Sequence, residues 1–195
     1  MRLEAAISAG RCRDASIISR LIECKARIDA KSRGGSSVLH FACVQADNDP
    51  EFAERLLAGQ ELQVDTLNNQ NRTPLAEAVK YDHEKMAKAL LIDNGANINV
   101  ISTKGETPIM EAVIHNSGRC LVLLFKENAK HQGSNGRKNT LSHLATFSGR
   151  IPTIEILTRK KLEEIDKDSE NIDGKTAKSI AEERGEGGDW RVHSI

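Results

Sequence analysis

The chain has 195 residues with 28 lysines and arginines against 28 aspartates and glutamates, so no global field draws it to nucleic acid or to an anionic membrane. Apolar residues make up 38% but aromatics only 3%, which argues against a base-stacking platform and for a core of Ala, Leu and Ile. The longest uninterrupted apolar run, Cys120 to Phe125, is far short of the roughly 20 residues a spanning helix needs, and the N-terminus lacks a basic-then-apolar signal pattern.

An internal period organises the chain. Ser37, Thr73, Thr107, Thr140 and Thr176 follow one another at steps of 36, 34, 33 and 36 residues, and five residues after each stands an alanine: Ala42, Ala78, Ala112, Ala145 and Ala181. Ala6 falls in the same phase. A methyl fits where one helix crosses its neighbours at short interaxial distance. Leu39, Leu75 and Ile109 follow their anchors by two residues and share the alanines' side of the helix.

In chain order, the first unit opens directly on a helix, Leu3 to Ala9, and continues through Ile17-Ile18 to Leu21-Ile22. The second carries a longer inter-helix loop, Gln45 to Pro50, before a helix ending at Leu56-Leu57. The third is the most regular: Thr73-Pro74 supplies an N-cap hydroxyl and a proline at the first helical position, and Leu90-Leu91 closes a second helix that Gly95 stops. The fourth repeats the start with Thr107-Pro108 and has Leu123-Leu124, but its exit reads Asn128-Ala129-Lys130. In the fifth, Leu141 and Ser142 stand where Pro and Leu belong, and Pro152-Thr153 opens the helix ending at Ile156-Leu157. The sixth keeps Thr176 and Ala181, then runs through Gly185-Glu186-Gly187-Gly188 and ends before its second helix is complete.

Thr73-Pro74-Leu75-x-x-Ala78 with Asn94-Gly95-Ala96-Asn97-Ile98-Asn99 resembles an ankyrin repeat, and Ser37 to Ala42 and Thr140 to Ala145 resemble its signature more loosely. The resemblance implies an all-α solenoid of stacked helix pairs joined by β-hairpin-like finger loops. It is one domain over 1–195, with repeats near 1–34, 35–70, 71–104, 105–137 and 138–173 and a partial one at 174–195. It also implies that His40 and His143 bond within the turn-helix framework, and that His83 is structural.

No catalytic constellation accompanies the repeat, so the chain is not expected to be an enzyme. Gly133-Ser134-Asn135-Gly136-Arg137-Lys138 lacks the spacing of a phosphate cradle, and Ser36, Ser37 and His40 have no acid or oxyanion hole placed beside them. Cys12, Cys24, Cys43 and Cys120 form no C-x-x-C pair, which fits reduced thiols, and neither a metal nor another cofactor is expected.

The resemblance implies protein binding through the finger loops and the concave face. Finger positions carry Arg33, Arg72, Lys104, Arg137 and Lys138; the adjoining helix positions include Tyr81, Met110 and His115. Arg72, Tyr81, Lys104, Met110 and His115 are expected at the centre of a groove that takes a protein partner with an acidic surface. The chain itself is expected to be monomeric and intracellular, cytoplasmic rather than nuclear, with neither nucleic acid nor membrane as partner. The alternative is a regulatory or targeting segment of a larger enzyme or signalling protein whose active domain lies outside these residues.

Overall fold

A computed structural model describes residues 31–45, 63–159 and 168–185. Residues 1–30, which hold the expected Leu3 to Ala9 helix and Leu21-Ile22, residues 46–62 with Pro50 and Leu56-Leu57, residues 160–167 and residues 186–195 lie outside the described residues.

Eight α-helices are described: α1 (Val38–Gln45), α2 (Pro74–Lys80), α3 (Glu84–Lys88), α4 (Pro108–His115), α5 (Gly118–Lys126), α6 (Leu141–Ser148), α7 (Ile151–Arg159) and α8 (Ala177–Gly185). First helices stack in one layer, each packed on the next from α1 through α2, α4 and α6 to α8. Second helices α3, α5 and α7 stack behind them. The period in the sequence is the period of this stack.

The in-phase alanines lie at the crossings. Ala42, Ala78, Ala112 and Ala145 are 1%, 0%, 0% and 6% exposed, and one continuous core joins them to Leu39, Leu75, Ile109, Leu90, Leu121 and Leu124. Ala181 is half-buried. Cys43 and Cys120 are buried, and burial pushes both thiols well above the usual range, which makes them small hydrophobes rather than nucleophiles.

The second helix of the third unit departs from expectation. Its α-helical part stops at Lys88, and Ala89–Asp93, which contains Leu90-Leu91, forms a π-helical turn. The Asn94 side-chain amide donates to the Ala89 carbonyl at 3.0 Å, satisfying an acceptor at this widened end. Asn128, where the family glycine is missing, takes the same left-handed backbone as Gly95, φ 58° against 65°. Asparagine tolerates that region, so the exit turn survives the substitution.

Fingers precede each first helix and are built alike. The side-chain oxygens of Asn68, Ser102, Asn135 and Asn171 each accept backbone N–H groups two and four residues on, for Asn68 those of Gln70 and Arg72 at 2.9 and 3.1 Å. Each finger then touches the next through one backbone hydrogen bond. Asn69, Thr103, Gly136 and Ile172 donate to the carbonyls of Gly34, Gln70, Lys104 and Arg137 at 2.9–3.0 Å. Among the described residues these contacts do not extend into β-strands.

Candidate functional site

Two signature histidines weld neighbouring repeats. His143 Nδ1 accepts from the Thr140 backbone N–H at 3.3 Å, so Nε2 carries the ring proton and donates to the Lys175 carbonyl of the next finger at 2.9 Å. His40 does the same between Ser37 and the Arg72 carbonyl. Burial holds the His40 ring below the ordinary imidazole range, against the pull of the Arg72 carbonyl. His83 Nδ1 lies 2.8 Å from the Cys43 carbonyl at the end of α1, an inter-repeat tie that agrees with its structural assignment.

The expected groove residues separate into three groups. Arg33, Lys104 and Lys138 are exposed on the fingers, and among the described residues none of them forms an ion pair. Arg137 is exposed too, with Asp173 of the next finger 3.7 Å away. Tyr81, at the C-terminal end of α2, is 45% exposed, its ring lying 5.2 Å from the Lys80 ammonium. His115 ends α4 on the surface.

Two expectations are corrected. Met110 is 2% exposed and belongs to the core, because it stands three residues after its anchor, in the register of His40 and His143. Arg72 is no free finger cation. Its side chain is 11% exposed and its guanidinium lies 3.8 Å from Glu77 Oε1 and 2.5 Å from Glu111 Oε1, tying α2 to α4.

Sequence reasoning missed these two acids. Glu77 and Glu111 each stand four residues after an anchor, a shared register that would have placed them beside the packing alanines. They lie 9% and 1% exposed at the middle of the face. Asn68 Nδ2 donates to Glu77 Oε1 at 3.4 Å. Glu111 Oε2 faces His115 Nε2 at 3.2 Å, an i to i+4 contact that becomes an ion pair when the ring is protonated. Burial and the Glu111 charge push the Glu106 carboxyl above the usual carboxylate range, with Lys104 and Arg72 pulling the other way. Partial burial holds His115 below the imidazole range; Glu111 opposes this, while Lys80 and Arg72 add to it.

Among the described residues no group of three or more His, Cys, Asp or Glu side chains could hold a metal ion, and no helix is long and apolar enough to cross a membrane.

Stacked helix pairs, alanine crossings and projecting fingers define a helical-repeat solenoid, whose repeats bury their apolar faces against one another. A family model described as ankyrin repeats (3 copies) matches residues 3–102 and 90–171, and the chain belongs to the ankyrin-repeat family. No curated protein matches the chain at a significant level. Ankyrin repeats are generally protein–protein interaction modules, and the family is typically non-catalytic.

Proposed function

We propose that the chain is a non-catalytic scaffold that holds a protein partner along its fingers and first helices, the fingers reading an acidic stretch of the partner's surface. The observation that carries this reading is that the finger cations Arg33, Lys104 and Lys138 are exposed and unpaired among the described residues, with an exposed aromatic ring, Tyr81, at the end of α2. Fingers fixed by Asn and Ser side chains lose little entropy when a partner lands on them, and an amphipathic ring at the edge of a rigid face is a common anchor.

The test is capture from source-cell extract followed by mass spectrometry. The bait is the full chain, and the comparison bait carries Arg33→Glu, Lys104→Glu and Lys138→Glu. A protein retained by the first and lost from the second supports the reading. Equal retention by both would remove the fingers from it, and a folded bait that retains nothing would count against binding altogether.

A further inference from the structure

The chain holds two Asn-Gly bonds, Asn94-Gly95 and Asn135-Gly136, and the fold secures them very differently. Such a bond can modify itself: with no Cβ in the way, the glycine nitrogen turns onto the carboxamide carbon of the preceding asparagine. Asn135 is locked against this. It is 9% exposed, its side-chain oxygen accepts the Arg137 and Asn139 N–H groups at 3.0 Å each, and the Gly136 N–H is committed to the Lys104 carbonyl at 2.9 Å. Three hydrogen bonds must open there before the nitrogen is free to attack.

Asn94 is held by much less. Among the described residues its carboxamide makes one hydrogen bond, from Nδ2 to the Ala89 carbonyl at 3.0 Å. The Ala96 N–H, and not that of Gly95, returns to the Leu90 carbonyl at 3.0 Å; among the described residues the Gly95 N–H reaches no backbone carbonyl. Gly95 is exposed in a left-handed turn, φ 65°, where an added Cβ would meet nothing within 4 Å. Asn94 itself is half-buried at the end of the π-helical turn, with ψ 3°. Rotation about that soft dihedral, beside open space, brings the Gly95 nitrogen toward Asn94 Cγ.

We infer that Asn94 is a self-modification site, where water converts the carboxamide to an acid in the folded chain and loosens the exit of the third repeat. The Gly95 nitrogen gives up its proton and bonds to Asn94 Cγ, the Cγ–Nδ2 bond breaks, and Nδ2 leaves with that proton as ammonia. Water then opens the cyclic imide at either carbonyl, giving aspartate or isoaspartate, and nothing is oxidised or reduced. Either product loses the donor to Ala89 and sets a negative charge at a helix C-terminal end, where the macrodipole disfavours it. Isoaspartate also lengthens the main chain immediately before Gly95. The segment beyond is tied to both neighbouring repeats. The Asn97 N–H donates to the Asp65 carboxylate at 3.0 and 3.1 Å, and Asn99 Oδ1 accepts the Lys130 N–H at 2.9 Å. A change at Asn94 therefore reaches the exits of the second and fourth repeats as well, whatever partner the chain binds.

The full chain kept in mildly alkaline 18O-labelled water, sampled over time and mapped by peptide mass spectrometry, tests this. A parallel sample in urea gives the unfolded reference. In the folded chain, label is expected at Asn94 at least about tenfold faster than at Asn135, which must first release two more hydrogen bonds. In urea the two rates are expected to converge, because both asparagines precede glycine. An Asn94→Asp chain is expected to exchange the Ala96 and Lys130 amide hydrogens about fivefold faster, the weight of roughly one hydrogen bond. Should that chain fail to fold, aged wild-type protein separated by charge takes its place. Equal labelling at the two positions in the folded chain, or none at Asn94 while the urea sample labels there, would overturn the inference. Unchanged exchange in the acid form would overturn its structural consequence.

Discussion

Met110 occupies in α4 the place that His143 occupies in α6, and the hydroxyl of Thr107 is left buried without a partner as a result. In the histidine-bearing repeats the anchor hydroxyl lies 2.8–2.9 Å from Nδ1 of that ring. A thioether offers nothing comparable. Thr107 therefore caps α4 by backbone geometry alone, whereas Thr73 also accepts the Ala76 N–H at 3.2 Å.

Met110→His is accordingly expected to stabilise the chain by about 1 kcal/mol, the net worth of a hydrogen bond or two set against lost apolar burial. The new Nδ1 would receive the Thr107 hydroxyl and Nε2 would reach toward the next finger. Urea unfolding of the two proteins side by side checks this, and a midpoint lowered by the substitution would contradict it.

Arg72→Met is expected to destabilise by about 3 kcal/mol, because it strands Glu77 and Glu111 as buried carboxylates without their guanidinium. Adding Glu111→Gln to that variant should recover part of the loss. A double-mutant cycle from thermal or urea melts measures the coupling, and purely additive losses would show that the ion pair is not what matters.

Glycine substitutions should divide the fingers sharply. Gly105 has φ +75°, and a Cβ there would meet the Gly136 amide nitrogen at 2.4 Å, so Gly105→Ala must break a finger junction as well as strain the backbone. Gly174 has φ +69° with nothing within 4 Å. The expected costs are about 2 kcal/mol or more at Gly105 and about 1 kcal/mol at Gly174.

Acid should weaken the fold in a defined window. Burial holds His40 and His115 below the ordinary imidazole value of 6.5 in the folded state, so the unfolded chain binds the extra protons and stability falls as pH drops below that value. Glu106 works oppositely: its raised folded value adds stability on the acid side that is lost as pH rises through it. Urea midpoints are expected to fall between about pH 7.5 and about pH 5.5, the range over which imidazoles charge. His115→Gln should make that fall smaller, and an unaltered pH slope would show that the ring contributes nothing to it.

The alanine phase made the stack legible from sequence alone, because a close helix crossing admits few residues larger than a methyl. Ala42, Ala78, Ala112 and Ala145 all fill the place expected of them. Asn68, Ser102, Asn135 and Asn171 keep the same phase five residues before the anchors, but their work is to hold backbone N–H groups, which hydrophobic periodicity does not display. The groove was read less well. Counting Arg72 as a finger charge ignored its position directly before Thr73, within reach of acids on two helices. Placing Met110 on the surface overlooked that its register is the one in which His40 and His143 are buried. What Arg72 faces lies across a repeat boundary, a separation that local spacing does not display; its contact with Glu111 spans 39 residues.

The single backbone hydrogen bond at each finger junction has a mechanical meaning. Behind the fingers, neighbouring helices are locked by a continuous apolar core, while in front one backbone N–H···O link at each step is joined by only a few side-chain ties, such as Asn69 Nδ2 to the Arg33 carbonyl and His143 Nε2 to the Lys175 carbonyl. Such a body behaves like a strip with a stiff spine and a slotted edge. It flexes by opening or closing the slots, and opening one of the four described junctions costs a few hydrogen bonds, each worth about 1 kcal/mol, far less than separating the apolar core. The chain can therefore curl more or less tightly around surfaces of different breadth while its spine keeps the spacing of its contact points.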